Sequence, residues 1–187
     1  MKKRPDLTEA TRQRFIDAFS ELYAKQPLEK ITVTEIAQKA GHNRVTFYQY
    51  FHDAYDMLEY LENEFIDFLQ QKLRANIKNQ KIFDNFVAIF LEIINSQQKT
   101  AKILLTGQNA EHTINKIKKA AKSSIVEELA LNQTDKKNIY ILEFYFSGVL
   151  EMLTYWMHSD YDLPEQQLAN IIQHILQKGV MPQLDFI

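Results

Sequence analysis

Only four glycines and four prolines interrupt 187 residues, and this scarcity of turn-makers constrains the chain more than any other feature. An all-β fold needs a tight turn about every 8–12 residues, and glycine and proline supply many of them. The favoured class is therefore all-α, built from about nine helices that can run long between rare breaks. Hydrophobic residues make up 45% and charged residues 25%, which excludes a largely disordered chain and leaves ample material for a core. The chain has no cysteine, so disulfides, thiolate metal sites and cysteine nucleophiles are excluded together, and a reducing compartment is the simplest setting.

Met1-Lys2-Lys3-Arg4 has the charge of an export signal, but Pro5-Asp6-Leu7-Thr8-Glu9 follows where an apolar run belongs. The longest apolar stretches, near residues 86–94 and 139–146, fall well short of the ~18–20 residues that span a bilayer. The expectation is a cytoplasmic protein with no membrane partner. The net charge of −2 hides an asymmetry: residues 1–53 hold nine basic against seven acidic side chains, and residues 54–187 hold thirteen against seventeen.

Phe15, Ala18, Phe19, Leu22 and Tyr23 lie on one face of a first helix, which Pro27 closes. Thr32-Val33-Thr34-Glu35 reads as a capping box opening a second helix, with Ile36, Ala37 and Ala40 facing inward. Gly41 stops it in the left-handed conformation that a sharp turn needs. Asn43 caps a short third helix from Arg44 to about Phe51, whose Phe47 and Phe51 face the other two. Asp53 caps a long fourth helix reaching about Asn79, and helical patterns follow near residues 82–96, 101–106, 110–131, 135–158 and 165–178. The domains read as 1–53, a three-helix unit, and 54–187, a helical bundle.

Two short helices joined by a glycine turn over a third are what a DNA-reading helix-turn-helix requires. The residues of the third helix not needed for packing are Arg44, Val45, Thr46, Tyr48, Gln49 and Tyr50. Arginine and glutamine bond base edges in pairs, an aliphatic group meets the thymine methyl, and hydroxyls hold phosphates. A polar solvent face is the competing reading.

The stretch Ile31-Thr32-Val33-Thr34-Glu35-Ile36-Ala37, then Ala40-Gly41, then Thr46-Phe47-Tyr48-Gln49-Tyr50-Phe51 resembles the helix-turn-helix of TetR-family transcriptional regulators from about Arg12 to Leu58. The resemblance implies that Arg44, Val45 and Gln49 face bases, that Thr34, Thr46, Tyr48 and Tyr50 hold the DNA backbone, and that double-stranded DNA is the partner. The chain departs from the family pattern at three places. His42 stands where an apolar residue is usual, and Asn43, counted here with the DNA-binding residues, where serine is usual. Ala54 stands where a phosphate-binding lysine is usual. His52 and the Lys2-Lys3-Arg4 arm are candidates to compensate, the arm through the minor groove, with a frayed terminus as the competing reading.

For the bundle, the resemblance implies an unknown small-molecule effector and a homodimer. Phe144 to Gly148, Trp156 and Leu163-Pro164-Glu165 resemble the C-terminal helices of the dihydroxyacetone kinase regulator subgroup. Gly148, read as admitting a close helix, and Ile171, Ile172, Ile175 and Leu176 are the candidate dimer interface. Phe65, Phe68, Phe86, Phe90, Tyr140, Phe144, Tyr155 and Trp156 are the candidate ligand pocket, with plain core packing as the competing reading for each. Lys116, Lys118, Lys119 and Lys122 form a basic run that suits DNA, an acidic ligand or simply solvent. No metal-ligand spacing, phosphate loop or nucleophile motif is present, so no cofactor, metal or enzymatic activity is expected. The functional expectation is a ligand-responsive repressor of palindromic operators. A helical interaction module or coactivator acting through a protein partner is the alternative.

Overall fold

The computed structural model describes residues 5–77, 82–128, 131–132 and 134–180. Among them the chain forms nine α-helices and no strand: α1 (Pro5–Tyr23), α2 (Val33–Lys39), α3 (Arg44–Phe47), α4 (Ala54–Ile77), α5 (Ile82–Ser96), α6 (Gln98–Thr106), α7 (Ala110–Glu128), α8 (Lys136–His158) and α9 (Glu165–Ile175). A 3₁₀ turn, Leu28–Lys30, joins α1 to α2, and a π-helical turn, Leu176–Val180, extends α9. Contacts divide the chain into residues 1–64 and 65–187. The boundary falls inside α4 because its first turns bury Ala54, Met57, Leu58 and Leu61.

In the N-terminal unit Phe15 is fully buried, and the rings of Phe47, His42 and Tyr50 lie 5.3, 5.3 and 5.8 Å from it. Phe19, Ile36, Ala37 and Phe51 complete the core around it. Lys39 on α2 pairs with Glu21 on α1 at 2.6 Å, fastening the two helices at the surface. The α2 capping box forms as expected: the Glu35 amide donates to Thr32 Oγ1 at 3.2 Å, and the Thr32 amide donates to the Glu35 carboxylate at 2.9 Å. Gly41 has φ +73°. Its amide donates to the Gln38 carbonyl at 3.2 Å and the His42 amide to the Ala37 carbonyl at 2.9 Å, the pair of bonds that closes a helix with a left-handed residue.

In the C-terminal unit Phe65, Leu69 and Leu73 of α4 are fully buried. Alongside them the unit buries Phe90, Ile93 and Ile94 of α5, Leu104 of α6, Ile117, Ala121 and Ile125 of α7, and Phe146, Leu150 and Leu153 of α8. α6 and α8 both pack on α7, and α9 packs on α5. Lys72 and Glu92 form an ion pair between α4 and α5. α8 ends on Asp160 and Tyr161, both with positive φ (51° and 60°). The Tyr161 amide donates to the Trp156 carbonyl at 3.0 Å, its ring meets Trp156 edge-on at 4.7 Å, and Trp156 Nε1 donates to the Leu163 carbonyl at 2.7 Å. No helix among the described residues is long and apolar enough to cross a membrane.

Candidate nucleic-acid interface

Asn43 sets the start of α3. Its side-chain oxygen accepts from the Thr46 amide at 2.8 Å and from the Thr46 hydroxyl at 3.1 Å, so the residue acts first as a cap. The regular α-helix is shorter than the sequence predicts and ends at Phe47. The chain continues in tight turns, with the Gln49 amide bonded to the Thr46 carbonyl and the Phe51 amide to the Phe47 carbonyl. Phe47 and Phe51 are still anchored in the core. That anchoring directs the rest of the segment outward.

Arg44, Val45, Tyr48 and Gln49 are all exposed, Val45 to 73%. Arg44 Nη2 donates to the Tyr48 hydroxyl at 3.3 Å, and the guanidinium carbon lies 6.0 Å from the Tyr48 ring centroid. Residues four apart on a helix meet in this way, and the pairing restricts where the guanidinium points. Thr34 and His52 are exposed, whereas Thr46 and Tyr50 are half-buried. Thr46 is occupied by the Asn43 cap, and Tyr50 rests on Phe15. The His52 amide donates to the Asp56 carboxylate at 2.8 Å and the Asp56 amide to the Asp53 carboxylate at 2.9 Å, so Asp53 caps α4 as the sequence predicts. The Lys2-Lys3-Arg4 arm lies outside the described residues.

Two of the departures from the family pattern have a structural account. His42 is half-buried against Phe15, and its Nε2 has no hydrogen-bond partner, so the ring fills the place of an apolar residue. Ala54 is buried. The next residue, Tyr55, is exposed in the first turn of α4, a hydroxyl that the sequence reading passed over because nothing in its neighbourhood distinguishes it from a packing residue.

Of the eight aromatic candidates for a ligand pocket, the seven with described side chains are not brought together. Phe65 and Phe90 are core residues, and Phe68 is half-buried with the Lys72 ammonium 5.5 Å from its ring centroid. The Phe86 side chain lies outside the described residues. Tyr140, Phe144 and Tyr155 are exposed, to 75%, 69% and 68%, because they lie on the face of α8 opposite its buried residues. Trp156 is buried and spends its N–H on the α8–α9 turn. The interface candidates also divide. Ile171 and Ile175 are exposed, while Ile172 and Leu176 are buried with Leu168 in the chain's own core. Gly148 does not admit a close helix within the chain, since a Cβ there would meet nothing within 4 Å. Instead it lines a groove of about 300 Å³ between α8 and α9 with Phe144 and Ile175.

Residues 15–61 match the family described as bacterial regulatory proteins, tetR family, and residues 80–178 match a transcriptional regulator C-terminal region. A comparison with curated protein sequences finds no match. Among solved structures, the fatty acid degradation regulator FadR from Bacillus halodurans is similar at a TM-score of 0.73 and 21% identity, covering 97% of this chain and 99% of its own. FadR from Bacillus subtilis, solved with stearoyl-CoA, is similar at 0.68 and 19%, covering 90% and 99%. The dihydroxyacetone kinase operon activator DhaS is similar at 0.61 and 16%, covering 94% and 98%. A DNA-binding helix-turn-helix unit followed by the matching regulator domain makes this chain a member of the TetR family of bacterial transcriptional regulators.

Proposed function

We propose that the chain is a ligand-responsive repressor that binds a palindromic operator as a homodimer. Residues 1–53 serve as the DNA-binding domain and residues 54–187 as the ligand-binding and dimerisation domain. The observation that carries the reading is the exposed set Arg44, Val45, Tyr48 and Gln49 on a capped, core-anchored turn. Arg44 and Gln49 read base edges, Val45 meets a thymine methyl, and Tyr48 and Thr34 contact phosphates. Asn43, Thr46, Tyr50 and His52 support the same surface, Asn43 and Thr46 chiefly by fixing the start of α3.

The face of α8 that carries Tyr140, Phe144, Gly148 and Tyr155 takes the second copy. These positions recur at helical spacing, and Tyr140 and Tyr155 lie equally far from a point between Ser147 and Gly148, so that an antiparallel pairing of two α8 helices there sets Tyr140 opposite Tyr155 and Phe144 opposite Glu151. A self-complementary patch of this kind is what a two-fold interface needs, and Ile171 and Ile175 widen it. Two recognition helices ~34–36 Å apart then reach successive major grooves. The effector acts by binding one arrangement of the dimer better than another.

A gel-shift titration of the full chain on its own upstream DNA tests the proposal. The expected result is one retarded complex that survives excess nonspecific DNA at moderate salt. Uniform binding to all sequences would overturn it.

A further inference from the structure

The basic run on α7 lies outside the surfaces proposed above for DNA and for the second copy. Lys118 reaches one oxygen of Glu143 at 2.5 Å and the Ser147 hydroxyl at 3.4 Å, while Lys122 reaches the other Glu143 oxygen only at 3.5 Å. Lys119 is exposed and makes no ion pair among the described residues. Lys119 and Lys122 line a cavity of about 370 Å³ between the second half of α7 and the first turns of α8. Apolar Val126, Leu131 and Leu142 also line it, and so does Asn138, a polar residue only 2% exposed. Among the described residues that line it there is no carboxylate. Glu127, which neighbours it, takes the Ser123 hydroxyl at 3.5 Å.

Lys119 has no ion pair among the described residues and Lys122 is held only at 3.5 Å by Glu143, so an anion at both lysines gains charge pairing beside an apolar recess. The volume lies at the small end of ligand sites, roughly 300–1,000 Å³. We infer that this cavity binds a small organic carboxylate, its head at Lys119 and Lys122 and its few-carbon body against Val126, Leu131 and Leu142. The inference rests on the effector-binding role given to the bundle above. Such an anion competes with Glu143 for Lys122, so occupancy alters one of the two bridges between α7 and α8.

Calorimetric titration of the full-length protein with hexanoate tests the site, with acetate and n-hexanol as probes lacking the tail or the charge. Saturable hexanoate binding is expected, with each truncated probe about tenfold weaker or more. The Lys119→Gln/Lys122→Gln variant should lose about tenfold in hexanoate affinity, Lys119→Arg/Lys122→Arg should keep it, and Lys99→Gln/Lys102→Gln on α6 should bind as the parent does. No saturable heat, equal binding of hexanol, or undiminished binding by the glutamine variant would each overturn the site. Gel shifts on the same samples separate the two readings: lost hexanoate binding with intact operator binding removes this site alone, and the reverse removes the regulator reading alone.

Discussion

Arg44 and Tyr48 are bonded to each other on the exposed side of α3, so their effects on DNA binding should be coupled. Arg44→Ala should relax preference at one base position by ~1–3 kcal/mol. Tyr48→Phe removes the hydroxyl that accepts from the guanidinium. It should weaken binding to all sequences and also blunt selectivity at the Arg44 position. A double-mutant cycle over a panel of single-base operator variants measures that coupling; if neither mutant alters base preference, the assignment of these contacts is wrong. Arg44 and Tyr48 were legible as surface residues because Phe47 and Phe51 claim the core positions, whereas their mutual contact required coordinates. A second pair of residues tests the backbone alone. Gly41 and Asp160 both sit at positive φ at helix ends, where a Cβ is penalised by about 1 kcal/mol. Gly41→Ala should destabilise and Asp160→Gly should stabilise, each by about that amount in urea unfolding. A change of the same sign for both would exclude a backbone origin.

At the level of the element, the starts of α2, α3 and α4 formed where capping chemistry placed them, because a cap depends on residues three apart and on nothing distant. The α2 box also has a pH signature. The Thr32 amide and hydroxyl hold the Glu35 carboxyl below its ordinary pKa. A group depressed in the folded state contributes stability that is present above its unfolded pKa and lost as pH falls through the folded value. The Thr32 amide resonance should therefore shift with a midpoint below the ordinary glutamate value, and Glu35→Gln should abolish that step. A midpoint at or above the ordinary glutamate value would contradict the box. Other element ends were less legible. α3 tightens after Phe47, and α6 begins at Gln98, earlier than its apolar pattern suggests. Leu28–Lys30 turns as a 3₁₀ segment. In each case short-range hydrogen bonds extend or shorten a helix where side-chain periodicity carries little signal.

For the whole molecule, the exposed aromatic face of α8 bears on assembly. The chain has no cysteine, so a single introduced thiol reports proximity without background. Gly148→Cys should oxidise to a disulfide-linked dimer of twice the 22 kDa chain on a non-reducing gel, while Lys99→Cys should remain monomeric there. Phe144→Asp should shift the protein toward monomer in size-exclusion chromatography and reduce operator affinity by about tenfold or more. Unchanged elution would remove this face as the interface. The acidic total charge gave no guide to any of this, because the small basic excess lies in residues 1–53 and the acidic excess in the bundle.

By itself the sequence determined the all-α class, the capped helix-turn-helix and which residues of the α3 turn are exposed, since these follow from few turn-makers, period and capping over three or four positions. The tertiary structure alone decided which apolar residues of the bundle are spent internally. Ile172 and Leu176 went to the core while Ile171 and Ile175 stayed outside; Phe90 was buried while Tyr140, Phe144 and Tyr155 were not. It also decided that Lys119 and Lys122 border a recess. Burial depends on which helices meet, a contact between residues far apart in the chain, and helical periodicity records only that a face is apolar, not what covers it.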